Sequence, residues 1–190
     1  MSTRCVALLR GINVGGKNII SMADLRAVFE AEGYDEVQTY IQSGNVVFAT
    51  DQPPGSLEQS IEAALVARLD TAVKVVVRSP RQMRGVVAKA PDGFGSDRDR
   101  YLSDVVFLRK GLTPKRALAA VSLRDGVDQV WPGTGVLYFA RLAERRSQSR
   151  VSRQVSTPEY QPMTNRNRAT TTRQHDKHNA ESSTPQGTGR

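Results

Sequence analysis

The order of strand-like and helix-like patterns in the first 78 residues constrains the fold of this 190-residue chain more than any other feature. Apolar and β-branched runs predict four strands, over residues 4–9, 37–41, 46–49 and 73–77. Ser21 and Ser56 each precede an amphipathic stretch and predict the N-caps of two helices. The segment from Gln42 to Asn45 predicts a hairpin turn between the second and third strands. The predicted order is therefore βαββαβ.

This order is that of the ferredoxin-like unit, in which two helices cover one face of a four-stranded antiparallel sheet. The first strand, however, reads Val6-Ala7-Leu8-Leu9 with no polar alternation. A continuous apolar run is typical of a strand that is buried on both faces. We therefore expect a second layer to pack against the face that the helices leave open.

A second set of elements follows in the same chain. The patterns predict a short helix after Ser79-Pro80, a strand at 104–108, a helix after Thr113-Pro114, and strands at 127–131 and 136–139. Pro132-Gly133 predicts a turn after the first of these last two strands. The chain is thus predicted to be an α+β protein with a tandem pair of ferredoxin-like subdomains. We assign residues 1–78 to the first half, residues 79–160, with the connecting helix, to the second, and residues 161–190 to a basic, largely disordered tail.

Positive charge is concentrated near the end of the chain. There are 27 Lys and Arg residues against 19 Asp and Glu, a formal net charge of +8. Residues 1–142 contribute +3 of this charge and residues 143–190 contribute +5. A basic tail attracts polyanions without specifying one of them, so it predicts weak, salt-sensitive and non-specific association with nucleic acid.

Cys5 is the only cysteine and lies beside the apolar run of the first strand. A single cysteine excludes an internal disulfide and, in this position, predicts a buried thiol. No apolar run is long enough for the core of a signal peptide or for a membrane span. These features predict a cytoplasmic protein with no membrane partner.

Two long segments resemble a known family. Val6-Ala7-Leu8-Leu9-Arg10-Gly11-Ile12-Asn13-Val14-Gly15-Gly16-Lys17-Asn18 and Tyr40-Ile41-Gln42-Ser43-Gly44-Asn45-Val46-Val47-Phe48 are similar to segments of the domain of unknown function 1697 family, as are the shorter segments at 135–139 and 163–167. The resemblance covers residues 3–173 and implies a pair of ferredoxin-like subdomains with no established activity. Near its end the chain departs from the family, since Arg168 and Ala169 follow Arg166-Asn167 where an apolar helix is expected. We therefore assign no role to Arg166 or Asn167.

The loop after the first strand holds most of the candidate binding residues. Gly11 and Gly16-Lys17 have the spacing of a phosphate-binding loop, but Asn18 stands where a Ser or Thr should hold magnesium, so a nucleotide hydrolase is excluded. Glycine backbone amides beside Arg10 and Lys17 can still form an anion-binding nest. The alternative is a tight connection that needs glycine for its geometry. The candidate ligand-binding residues are Arg10, Gly11, Asn13, Gly15, Gly16 and Lys17 in this loop, with Gln42, Ser43 and Asn45 at the hairpin end.

No residue qualifies for a catalytic role. The only histidines, His175 and His178, lie in the tail, so Ser43 has no base and a metal site has too few ligands. We predict no metal and no cofactor. Three functions remain: binding of a small anionic ligand through the Gly11–Lys17 loop, a non-enzymatic interaction or self-association module that forms homo-oligomers, and non-specific nucleic-acid association through the tail.

Overall fold

The computed structural model of the chain describes residues 2–14, 16, 18–40, 44–151, 163–167 and 171–172. It is a mixed α+β structure with two four-stranded antiparallel sheets and four α-helices in these residues. The first sheet contains β1 (Thr3–Leu9), β2 (Asp35–Tyr40), β3 (Asn45–Thr50) and β4 (Val75–Arg78), with α1 (Met22–Ala31) and α2 (Pro54–Leu69) between its strands. The helix α3 (Pro80–Ala88) then leads to the second sheet. That sheet contains β5 (Tyr101–Leu108), β6 (Asp128–Gly133), β7 (Val136–Leu142) and β8 (Met163–Asn167), with α4 (Pro114–Ala119) after β5 and a short 3-10 helix (Arg146–Gln148) after β7.

The two sheets have equivalent strand orders. The first runs β2-β3-β1-β4 and the second β6-β7-β5-β8. In each sheet the first strand in sequence is central, and its two neighbours are antiparallel to it. The element order of the first half agrees with the predicted βαββαβ order.

The strand β8 lies in a segment that the sequence patterns assign to the tail. Asp104 pairs with Asn167 and Leu108 with Met163 along an antiparallel ladder with β5. Met163 is the only large apolar residue of the strand, so the segment has no alternating pattern by which a strand is recognised. Pairing along β5 supplies the backbone hydrogen bonds that local sequence does not predict.

Side-chain caps start three of the helices where the sequence predicts them. The Ser21 hydroxyl accepts a hydrogen bond from the amide of Asp24 at 3.0 Å, Ser79 and Gln82 form a capping box, and the Thr113 side chain accepts from Arg116. The predicted cap at Ser56 is wrong. The helix α2 begins at Pro54, because proline is favoured in the first helical turn, and the Ser56 hydroxyl donates to the Pro53 carbonyl at 2.9 Å instead.

The predicted turn at Pro132-Gly133 is also displaced. Both residues belong to β6, and the turn falls at Thr134 and Gly135. Gly135 has a φ of 71°, a left-handed conformation that glycine adopts without strain. Pro132 is tolerated in β6 because this strand is at the edge of the second sheet.

The strand β1 is buried on both faces, as its sequence predicts. Cys5, Ala7 and Leu9 belong to the apolar cluster that includes residues of α1 and α2. Val6 and Leu8 belong to a second cluster with residues of α3 and the second sheet. The second layer expected from the sequence is therefore formed by the second half of the chain itself.

No helix among the described residues is long and apolar enough to cross a membrane.

Candidate functional site

The loop that follows β1 is held at its start by two backbone hydrogen bonds. The amide of Leu9 donates to the Gly44 carbonyl at 2.8 Å, and the amide of Arg10 donates to the Lys74 carbonyl at 2.9 Å. These bonds tie the end of β1 to the chain on both sides of it. The loop therefore leaves the first sheet from a fixed position.

Left-handed backbone conformations give the loop its shape. Gly11, Asn13, Gly16 and Asn18 have φ values of 63°, 55°, 73° and 48°. Glycine and asparagine are the residues that adopt this conformation most readily. The residue types that suggested an anion-binding nest are thus also those that the geometry of the loop requires.

Asn13 makes its amide contacts inside the loop. Its Nδ2 donates to the Ile20 carbonyl and its Oδ1 accepts from the Ile20 amide, both at 2.9 Å. Asn18 Nδ2 donates to the Gly11 carbonyl at 3.2 Å. The two asparagines therefore close the loop on itself. These contacts occupy the side-chain amide of Asn13. The backbone N–H groups and the basic side chains of the loop are therefore the remaining candidates for ligand contact.

A pocket of about 380 Å³ lies beside the loop, and we call it the loop pocket. It is lined by Arg10, Gly11, Asn18, Glu62, Val66, Ala72, Val73 and Lys74. Lys74 Nζ lies 3.4 Å from Glu62 Oε2, and Glu62 Oε1 accepts from the Val75 amide at 3.0 Å. Glu62 also pairs with Arg109 at 2.9 Å. The single carboxylate of the pocket is thus shared between two cations.

One amide of the loop faces the pocket without an acceptor in the described part of the chain. The N–H group of Gly11 makes no hydrogen bond there, whereas the amide of Arg10 before it does, and Gly11 lines the loop pocket. The next residue, Ile12, is fully buried and does not line the pocket. The loop thus provides one backbone donor that an anion in the pocket can bind.

The predicted site residues do not all come together in the described structure. Arg10 and Gly11 line the loop pocket, and Gly16 is exposed in the same loop. Gly15, Lys17, Gln42 and Ser43 lie outside the described residues. The predicted ligand contacts of these four residues therefore stay predictions.

Asn45 lies in a buried junction between the two sheets. It is fully buried, its Nδ2 donates to the Tyr40 carbonyl at 3.2 Å, and its Oδ1 accepts from Arg166 Nε at 2.6 Å. Arg166 Nη2 donates to the carbonyls of Leu9 at 2.7 Å and Gly44 at 3.0 Å. Asn45 thus accepts a hydrogen bond from the Arg166 guanidinium of β8, at the base of the loop.

Arg166 is the residue whose importance the sequence did not indicate. Its burial lowers the pKa of its guanidinium to about 10, and its position on β8 depends on a strand that has no sequence pattern of its own. Arg10 also reaches β8, since its Nη1 donates to the Met163 carbonyl. The only signal that could have found Arg166 is the family-like segment at 163–167.

The described residues offer no alternative centre for metal or thiol chemistry. No three of their His, Cys, Asp and Glu side chains are grouped so as to hold a metal ion. Burial raises the pKa of the Cys5 thiol to about 11, which keeps it protonated and unreactive at neutral pH. Phe48 packs on Phe29 and Tyr34, with ring centroids 5.2 and 4.8 Å apart, so it lies in the core rather than on a base-stacking surface.

Comparison with known proteins gives a family and a similar solved structure, but no function. A family model described as "Protein of unknown function (DUF1697)" matches residues 2–138. No curated protein matches the chain. The solved structure of the conserved bacterial protein SP0830 from Streptococcus pneumoniae is similar, with a TM-score of 0.80 and 26% sequence identity, over 94% of this chain and 99% of that one. The family model matches well over half of the length of this chain. The chain therefore belongs to the DUF1697 family of proteins of unknown function.

Proposed function

We propose that the protein binds a small anionic ligand in the loop pocket. The observation that carries this proposal is the unpaired amide of Gly11, which lines the loop pocket together with the cations of Arg10 and Lys74. Backbone donors and positive charge together are the usual basis of anion recognition in a Gly-rich loop. Lys17, whose neighbour Gly16 lies in the same loop, adds a further cation to this segment of the sequence.

The size and charge of the pocket limit the ligand. A volume of about 380 Å³ admits a small molecule and lies at the lower end of ligand-site volumes. Glu62 is already paired with Lys74 and Arg109, so an anion near Arg10 meets a partly neutralised carboxylate. The proposal is one of binding, and no acid, base or nucleophile is assigned.

Native mass spectrometry of the freshly purified protein tests the proposal, followed by calorimetric titration with inorganic phosphate and sulfate. We expect Lys17→Ala and Lys74→Ala each to weaken anion binding about tenfold or more, since a hydrogen bond to a charged group contributes about 1.5–3 kcal/mol. Lys115→Ala is the matched control, because Lys115 is exposed on α4 and does not line the loop pocket. Unchanged affinity in both the Lys17→Ala and the Lys74→Ala variants would refute the site.

We also propose that the chain is a tandem pair of ferredoxin-like subdomains. The matching strand orders of the two sheets and the βαββαβ order of residues 1–78 support it. Because β8 pairs with β5, we propose that the second half extends from residue 79 to residue 167 rather than to 160. The cytoplasmic location stays a prediction.

Self-association is the second candidate function, and one observation favours it. Of the described residues, the exposed large apolar side chains are Val14, Ile19 and Val66, with exposed fractions of 63%, 79% and 46%. Val14 and Ile19 lie in the loop, and Val66 lines the loop pocket. Light scattering of the native protein and of the Ile19→Ser variant tests this function. If the protein self-associates through these side chains, the native protein should be a dimer and Ile19→Ser should weaken the dimer. A native protein that stays monomeric up to high micromolar concentration would exclude this function.

Nucleic-acid association through the tail is the third candidate. Within the basic segment 143–190, residues 152–162, 168–170 and 173–190 lie outside the described residues, so this function stays a prediction based on composition. Replacing Arg153, Arg168 and Arg173 with Gln removes three positive charges of this segment, and should reduce the salt-sensitive component of such binding.

A further inference from the structure

A second cavity, larger and more basic than the loop pocket, lies where the start of α2, one face of α3 and the segment after β5 meet. Its volume is about 620 Å³. Five cationic side chains line it: Arg78, Arg81, Lys89, Arg109 and Lys110. Its lining also includes the apolar side chains of Val77, Val86, Leu108 and Leu112. We call this cavity the basic groove.

The only carboxylate among the described residues that line the groove is Glu58, and it is fully engaged by the protein. Its two oxygens accept from the amides of Val77 at 3.2 Å and Lys110 at 3.3 Å. They also lie 3.6 Å from the guanidinium groups of Arg78 and Arg109. One negative charge therefore faces five positive charges, and it serves to hold two of the arginines in place.

Arg78 is buried and fixed by the backbone. Its Nη2 donates to the carbonyls of Leu108 and Gly135, which belong to the second half of the chain. It is 8% exposed. The groove thus has a rigid positive charge at the point where the two halves meet.

Three of the other cations of the groove have no ion pair in the described part of the chain, whereas Arg109 pairs with Glu62 at 2.9 Å. Within the described residues, the side chains of Arg81, Lys89 and Lys110 have no ion pair or hydrogen bond. Arg109 Nε is buried there without a hydrogen-bond partner, since its distance to Glu58 is too long for one. Three unpaired cations and one unsatisfied donor therefore surround the cavity.

The ammonium group of Lys110 lies at the N-terminal end of α2. A Cβ atom on Gly55 would lie 2.7 Å from Lys110 Nζ, so the ammonium group rests against the first turn of α2. This helix has no side-chain cap at its N-terminus. The N-terminus of a helix carries partial positive charge, which repels a cation and attracts an anion.

The sequence of α3 opens the groove. Arg81, Gly85 and Lys89 are spaced four residues apart and therefore lie on one face of the helix, and all three line the groove. A Cβ atom at Gly85 would meet nothing within 4 Å. Glycine is a poor helix-forming residue, and here it leaves open space between two cations.

We propose that the basic groove binds a small molecule that carries two or more linked phosphate groups. Three unpaired cations, beside two arginines that Glu58 and Glu62 hold in place, match a multiply charged anion better than a single carboxylate or sulfate. The apolar walls accept the organic part of such a molecule, and the lack of an aromatic side chain in the described lining makes the phosphates the recognised part. This site is distinct from the loop pocket and does not depend on its function.

Calorimetric titration of the full chain with pyrophosphate and with orthophosphate, at a salt concentration of 0.15 M, tests the proposal. We expect pyrophosphate to bind at least tenfold more tightly than orthophosphate. The double variant Arg81→Gln/Lys89→Gln should weaken pyrophosphate binding at least tenfold. The control Arg84→Gln/Lys115→Gln removes the same charge from exposed residues that do not line the groove, and should change binding less than twofold.

A blocking variant tests the geometry separately from the charge. Gly85→Leu fills the open space on α3 without removing a cation, and should abolish pyrophosphate binding while the protein remains folded by circular dichroism. The loop variant Lys74→Ala should bind pyrophosphate normally, which separates this site from the loop pocket. The proposal is overturned if the native protein does not bind pyrophosphate, if the control pair weakens binding as much as the groove pair, or if folded Gly85→Leu binds pyrophosphate normally.

Discussion

Replacing Arg166 tests whether β8 joins the two sheets through one buried cation. The guanidinium donates to Asn45 Oδ1 at 2.6 Å and to the carbonyls of Leu9 and Gly44 at 2.7 and 3.0 Å. All three acceptors belong to the first half of the chain, and Arg166 itself is only 7% exposed. Arg166→Met keeps an apolar stem of similar length but removes the charge and every donor.

The expected change in the free energy of unfolding for Arg166→Met follows from two opposing effects. Hydrogen bonds to a charged group contribute about 1.5–3 kcal/mol each, so three of them contribute about 5–9 kcal/mol. Burial opposes this gain, since it lowers the pKa of Arg166 from 12.5 to about 10, a cost of about 3 kcal/mol. The hydrogen bonds outweigh the cost of burial, and Arg166→Met should lower the free energy of unfolding by about 2–6 kcal/mol.

Urea denaturation followed by far-ultraviolet circular dichroism and by Trp131 fluorescence measures this loss. Trp131 lies in β6 and reports on the second half, whereas circular dichroism reports on both halves. Arg116→Met is the control, because Arg116 is exposed on α4, and it should change stability by less than about 0.5 kcal/mol. A loss below about 1 kcal/mol for Arg166→Met would refute a joining role for this residue.

Two further predictions concern the first sheet. Burial raises the pKa of the Cys5 thiol from 9.0 to about 11, so the unfolded chain loses this proton at lower pH than the folded protein. Stability is therefore full below pH 9 and falls as the pH rises towards 11. Urea titrations should find about 2 kcal/mol less stability at pH 10.5 than at pH 8, relative to the same difference in Cys5→Ala, and equal differences would contradict the prediction. Gly44→Ala should lose about 2–4 kcal/mol, because its φ is 77° and the new Cβ would lie 2.8 Å from Ile12 and 2.9 Å from Leu9. Gly111→Ala, with positive φ but open space around it, should lose only about 1 kcal/mol, and similar losses for the two variants would refute the steric argument.

Local chemistry in the sequence predicted much of the fold. The apolar run of β1 predicted burial on two faces because no polar residue interrupts it. The caps at Ser21, Ser79 and Thr113 predicted helix starts because a hydroxyl there satisfies an amide a few residues later. Ser56 failed as a cap because Pro53 and Pro54 start the helix earlier. Each of these signals depends on residues that are close together in the chain, so it can be recognised from the sequence alone.

The candidate sites were predicted only in part. The loop after β1 was found because glycine and asparagine at left-handed positions can be recognised in a sequence. The strand β8 was not found, because a polar segment becomes a strand there only by pairing with β5. Arg166 therefore had no sequence signal of burial, and its contacts join residues that are more than 120 positions apart.

The sequence by itself determined the order of the elements up to β7, the position of the loop and the two-sided burial of β1. The tertiary structure alone decided which charges lie together. Glu58, Arg81 and Lys110 come from three separate segments, and they line one groove because the second sheet packs on the first. Electrostatic interaction depends on distance in space rather than along the chain, so these charges act on one another only once the two sheets have come together.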